Sequence, residues 1–142
     1  MRVLMMVKGD PEPGQLPSEE LLAAMGKYNE ELLNAGVLLD LSGLHPSAEG
    51  VRVRFSGDKR TVVDGPFAES KELIAGYWIL QVKSMDEAVE WAKRAPFEDR
   101  WRIRGAEGEI EIRQIFELEE FGESPAVERA RELGKELEKK KA

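Results

Sequence analysis

Leu73-Ile74-Ala75-Gly76-Tyr77-Trp78-Ile79-Leu80-Gln81-Val82 (LIAGYWILQV) is the most strand-like segment of the chain, rich in aromatic and β-branched residues. Gly76, Trp78, Leu80 and Val82 fall on one side, Tyr77 and Ile79 on the other. Both sides are apolar, so this strand sits inside a sheet and each of its faces needs a cover. The elements on either side of it must supply those covers.

Immediately upstream runs Val62-Val63-Asp64-Gly65-Pro66-Phe67-Ala68-Glu69-Ser70-Lys71-Glu72. Asp-Gly alone reads as a tight hairpin turn, but Pro66 has no backbone N–H and cannot begin a strand inside a sheet. The chain makes a longer excursion there, and the question is whether it holds a carboxylate for chemistry. Before it, Val51, Val53 and Phe55 alternate with Arg52 and Arg54; Ser56-Gly57-Asp58-Lys59 turns, and Arg60 to Val63 returns as a small β-hairpin. Downstream, Ser84-Met85-Asp86-Glu87 forms a capping box for a helix whose apolar face is Met85, Ala88, Val89, Ala92 and Ala95. Pro96 ends it. A charged loop then leads to Gly108 and a last strand carrying Ile110, Ile112 and Phe116.

Farther out, Val3 to Val7 reads as a strand buried on both faces, and GDPEPGQLP, from Gly9 to Pro17, as a loop. Ser18 is an N-cap with Glu19 and Glu20 in the first turn, where the helix dipole favours anions. Leu21, Met25, Tyr28, Leu32 and Ala35 then line one helix face up to a stop at Gly36. Val37 to Leu44 is a second strand, closed by His45-Pro46. The tail opens with Ser124-Pro125 and places Val127, Ala130, Leu133 and Leu137 on a charged surface helix.

This order predicts an α+β fold: a ferredoxin-like βαββαβ sandwich with an inserted β-hairpin, over residues 1–118, followed by a charged helical tail at 119–142. Two helices cover one sheet face. The other face is apolar with no helix assigned to it, which implies a partner. A homodimer with sheets packed face to face around a cavity, forming a dimeric α/β-barrel, is the simplest solution.

A length of 142 residues suits one domain with a real core. The net charge of −7 argues against nucleic acid and anionic membranes as partners. Without cysteine, thiolate metal sites and cysteine nucleophiles are excluded; with one histidine, a transition-metal site is not expected. No cofactor fingerprint is visible: Gly26-Lys27 lacks the rest of a phosphate loop, and Ser56-x-x-Lys59 lies in a turn where a penicillin-binding motif needs a helix. The apolar run before Lys8 is too short for a signal peptide, so the expected location is cytoplasmic.

Two titratable residues stand at strand ends. Asp64 can act as a base if it enters a dry cavity, or accept N–H bonds from its own turn. His45 can serve as general acid or base, or cap a loop carbonyl. Tyr77, Trp78 and Phe55 are candidates to line an apolar ligand pocket, or belong to core and interface. Arg54, with Arg52 and Arg113, can bind a carboxylate through a bidentate fork, or pair with surface acids. Glu69, Lys71 and Glu72 read as a solvated rim.

The block VVDGPFAESKELIAGYWILQVKSMDEAVEWAKRAP resembles the signature of the YCII-related proteins, in the branch named for its Asp-Gly-Pro-Phe (DGPF) motif. Gly43-Leu44-His45-Pro46-Ser47 and Glu109-Ile110-Glu111-Ile112-Arg113 are similar to that branch's flanking segments, and the likeness covers roughly Met1 to Glu117. The resemblance implies a dimeric α/β-barrel of ferredoxin-like subunits, in a superfamily that includes muconolactone isomerases and small monooxygenases. It also implies a His-Asp catalytic pair, and a frequent gene neighbourhood with extracytoplasmic-function sigma factors. The histidine suspected in shorter YCII-type proteins lies on the first helix; the matching Ala24-Met25-Gly26-Lys27-Tyr28 has none, so His45 must take that part.

Two functions follow. One is a cofactor-independent isomerase- or lyase-like enzyme using His45 and Asp64 as an acid–base pair on a small molecule. The other is a non-catalytic ligand-sensing or accessory protein linked to a sigma-factor circuit. Fold alone does not choose between them.

Overall fold

The computed structural model describes residues 1–68, 72–97 and 108–141. Among these the elements run β1 (Arg2–Lys8), α1 (Glu19–Asn34), β2 (Leu38–Gly43), β3 (Val51–Ser56), β4 (Lys59–Asp64), β5 (Ile74–Gln81), α2 (Met85–Lys93), β6 (Ile110–Gln114) and α3 (Pro125–Lys141). The charged loop leading to Gly108, and Glu69 and Lys71 of the expected rim, lie outside the described residues.

Four strands form one sheet in the order β2-β5-β1-β6, antiparallel at every step, an arrangement consistent with a ferredoxin-like α+β fold. Among the described residues the strands β3 and β4 pair only with each other, in register from Val51 opposite Asp64 to Ser56 opposite Lys59. The double-sided apolar segment becomes β5, flanked by β1 and β2, so its backbone is paired along both edges. The sheet of the single chain is open, with β2 and β6 as its edges.

On the helix-facing side, Val3 meets Leu80 and Met5 meets Trp78 across the β1–β5 ladder. Leu32 of α1 and Ala88 of α2 complete a core in which Val3, Met5, Leu32, Leu80 and Ala88 have no exposed surface. Each aliphatic side chain of Val or Leu size contributes about 1.5–3 kcal/mol when fully buried. The opposite side pairs Leu4 with Ile79 and Met6 with Tyr77, and these four are half-buried. Polar residues of the edge strands bracket them, with Arg113 and Glu111 across from Leu4 and Met6, and Asp40 and Ser42 across from Ile79 and Tyr77. The strand β1 is therefore buried on one face and half-buried on the other, rather than buried on both as its sequence predicts.

Local signals act where expected. The Ser18 hydroxyl accepts from Leu21 N at 3.1 Å, and Ser124 accepts from Val127 N at 3.1 Å. Gly36 has φ +75°, the left-handed conformation that stops α1. Ser84 accepts from Glu87 N at 3.1 Å, but the Glu87 carboxylate reaches past Ser84 to the Lys83 N–H at 2.8 Å. The last strand ends at Gln114, earlier than its alternation suggests; Phe116 lies beyond it and packs on Phe121, ring centroids 4.9 Å apart.

Candidate functional site

A cavity of about 590 Å³ lies on the helix-facing side of the sheet, between α1, the Pro11–Pro17 loop and the β2–β5 edge. Its space has a local cause. Gly43 and Gly76 are cross-strand partners and both line the cavity, so neither strand projects a side chain there. A Cβ on Gly76 would sit 2.9 Å from the Ser42 carbonyl oxygen, whereas one on Gly43 would meet nothing within 4 Å. Leu21, Met25 and Asn29, four residues apart on α1, form the facing wall.

The inner wall is built on Trp78, 2% exposed. Its indole N–H donates to Asn29 Oδ1 at 2.8 Å, and Tyr28 meets its ring edge-on at 5.4 Å between centroids. The Tyr28 hydroxyl donates to the Trp91 carbonyl at 2.7 Å, tying α1 to α2, and burial pushes its pKa up to about 12.

The mouth is formed where β2 ends. Leu44 N donates to the Ala75 carbonyl at 2.8 Å, and His45-Pro46 leads into a 3-10 turn at Ser47–Glu49. That turn is anchored from below by a residue of the loop after β1. Asp10, 1% exposed, accepts from Ser47 N at 2.8 Å and from Ser47 Oγ at 2.6 Å. The Ser47 hydroxyl oxygen in turn accepts from Phe67 N at 3.2 Å, and Gly65 N donates to the Gly50 carbonyl at 2.9 Å. A Cβ on Gly65, which precedes a cis peptide bond to Pro66, would lie 1.7 Å from the Ser47 carbonyl oxygen. Three stretches distant in sequence thus lock together beneath His45. Nothing local marks Asp10 as buried, since the loop is exposed from Glu12 onward; its burial follows from the central place of β1 in the sheet.

His45 lines the cavity, and its Nδ1 stands 3.0 Å from Glu49 Oε2. Its side chain is 85% exposed. Asp64 is exposed at the end of β4, does not line the cavity and, among the described residues, makes no side-chain hydrogen bond or ion pair. Tyr77 and Trp78 border the cavity; Arg54 stands outside it on β3, exposed and opposite Thr61. Arg52 stacks over the Phe67 ring at 3.8 Å, and Phe55 carries Arg60 over its ring at 4.6 Å. His45 and Trp78 thus meet at one site, which Tyr77 borders from the strand position whose side chain projects to the opposite face, while the aspartate and Arg54 lie on the β3–β4 pair. Among the described residues no cluster of three His, Asp or Glu side chains can hold a metal ion, and no helix is long and apolar enough to cross a membrane.

Comparison with known proteins places this geometry in context. The YCII-related domain matches residues 1–119, which leaves α3 beyond the match. An uncharacterised protein of Rhizobium meliloti (strain 1021) is 29% identical over 108 residues, 76% of this chain and 82% of that protein.

Proposed function

This chain belongs to the YCII-related family, and on that premise we propose that it binds a small apolar molecule in the α1/β2–β5 cavity and moves a proton on it without a cofactor. The observation that carries this reading is a His–carboxylate pair, His45 with Glu49, at the mouth of an apolar cavity. With Glu49 accepting from Nδ1–H, the His45 Nε2 lone pair is free to take a proton from a bound ligand and return it elsewhere, an isomerase- or lyase-like step. The carboxylate beside His45 is that of Glu49, rather than Asp64. Asp64 and Arg54, on the β3–β4 pair, contribute only if a ligand or a second copy brings that pair over the mouth.

We also assign the chain to the Asp-Gly-Pro-Phe branch, on its Asp64-Gly65-Pro66-Phe67 sequence. The half-buried stripe of Leu4, Met6, Tyr77 and Ile79 is the seat for a second copy, closing the dimeric barrel. A second reading has one observation in its favour. The 85% exposure of His45 leaves water competing for the proton, which suits ligand sensing beside a regulatory partner, such as one of a sigma-factor circuit, better than turnover.

The test is a thermal-shift screen of small aromatic and alicyclic compounds against the wild type and Gly43→Val, whose new side chain enters the open space. A compound near one hundred times its Kd stabilises by about 2.7 kcal/mol, and the expected result is a shift in the wild type that Gly43→Val loses. Hits are then followed for solvent deuterium exchange with His45→Ala, Glu49→Gln and Asp64→Asn. Exchange at the wild-type rate in His45→Ala ends the acid–base reading and leaves the sensing one.

A further inference from the structure

We infer that Asn29 is the hydrogen-bond donor that selects the cavity's ligand, and that the ligand is an uncharged, mostly apolar molecule presenting a carbonyl oxygen. The inference rests on the cavity being a ligand site, as proposed above.

Asn29 is the half-buried polar residue of the α1 wall, in line with Leu21 and Met25. Its amide has one orientation for a chemical reason. An indole nitrogen can only donate, so the Asn29 atom 2.8 Å from Trp78 Nε1 must be the oxygen. Trp78 is itself fixed, 2% exposed in the sheet and packed edge-on by Tyr28. The amide nitrogen is thereby turned away from the core with two hydrogens to give. Among the described residues the Asn29 side chain makes no other hydrogen bond. No buried side-chain nitrogen or oxygen there lacks a partner, so this nitrogen sits on accessible surface, on a side chain that lines the cavity.

A rigid pair of neutral donors over apolar walls suits a carbonyl oxygen, which accepts two hydrogen bonds and carries no net charge. An anion fits poorly. Among the described residues the lining has no lysine or arginine, while it includes the acidic Glu12. Stripping water from a carboxylate costs more than one neutral amide returns. A pure hydrocarbon would leave the amide's hydrogens covered and unpaired.

Three probes of similar size separate the cases: acetophenone, ethylbenzene and benzoate, titrated calorimetrically into the wild type and Asn29→Asp. The aspartate keeps an oxygen for Trp78 but has no donors, and an unchanged melting temperature with unchanged near-UV circular dichroism confirms that the wall is intact. Acetophenone is expected to bind the wild type about tenfold tighter than ethylbenzene, the worth of one good hydrogen bond. In Asn29→Asp that preference should vanish. In a 15N-labelled sample, the side-chain NH2 signal lost in Asn29→Asp should also shift when acetophenone binds the wild type. Equal binding of ketone and hydrocarbon, or a ketone preference that survives in Asn29→Asp, overturns the role of Asn29 and leaves the cavity standing. Tighter binding of benzoate overturns the uncharged class. If no probe binds, the cavity reading fails and takes this inference with it.

Discussion

Gly9-Asp10-Pro11 and Asp64-Gly65-Pro66 use the same three residue types in different order, each at the end of a strand. Their fates differ. Asp10 is 1% exposed and holds the Ser47 turn with two hydrogen bonds, whereas Asp64 is exposed and its carboxylate holds nothing among the described residues. The difference comes from the strand that each one ends. Asp10 follows β1, paired on both edges in the middle of the four-stranded sheet; Asp64 ends β4, whose one neighbour among the described residues is β3. The same acid is structural in one place and a surface group in the other. Of the Asp-Gly-Pro turn, the part that matters at the junction is Gly65, because backbone approaches it closely.

The strongest way to break this contrast is to remove each carboxylate. Asp10→Ala leaves the Ser47 N–H and hydroxyl without their charged acceptor and should cost about 3 kcal/mol. Asp64→Ala should change stability by less than about 0.5 kcal/mol. Urea denaturation measures both, and equal losses would erase the distinction. Next in size, Gly65→Ala must displace the Ser47 carbonyl, which stands 1.7 Å from the added methyl position. It should cost roughly 2–3 kcal/mol, while an alanine at Gly26, which meets nothing within 4 Å, should leave the turn untouched.

Buried and exposed groups should also part company with pH. Tyr28, its pKa pushed up to about 12 by burial, stays neutral in the folded protein after the unfolded chain begins to ionise near its ordinary value of 10.0. Below that value its stability contribution is fully present; between about pH 10 and 12 it should fall by roughly 2 kcal/mol. Chemical denaturation across that range, with Tyr28→Phe as reference, checks the slope. The smallest effect belongs to the exposed ion pair at the start of β1. Arg2 Nε stands 2.8 Å from Glu117 Oε1 and, by hydrogen bonding, holds the carboxyl below its usual range. The resulting stability is present above the ordinary carboxylate pKa and lost as pH falls through the depressed one. Both side chains are 40% exposed, so solvent screening keeps the gain under about 0.5 kcal/mol. Glu117→Gln should flatten the acid limb by that amount, and a larger loss would show that the pair is less screened by solvent than its 40% exposure indicates.

The candidate site was legible in part. His45, Tyr77 and Trp78 were singled out from sequence, and all three border the cavity. Glu49 is not legible there, because only the 3-10 turn at Ser47–Glu49 brings it back to His45, nor is Asn29, because nothing local links it to a tryptophan 49 positions away. The Gly43–Gly76 pair was invisible for the same reason: two glycines open a cavity only once a register places them opposite each other.

By itself the sequence determined what short-range physics can settle. Serine caps at 18, 84 and 124, the glycine stop at 36 and the alternation of Val51, Val53 and Phe55 each act within a few residues, and they define the elements with their order. Tertiary structure alone decided which face of β1 is buried, that the anchoring carboxylate is Asp10, and that the cavity lies on the helix-facing side. Each of these depends on which strands become neighbours and in what register. Burial and hydrogen-bond partners are properties of that assembled arrangement, and no local stretch of chain carries them.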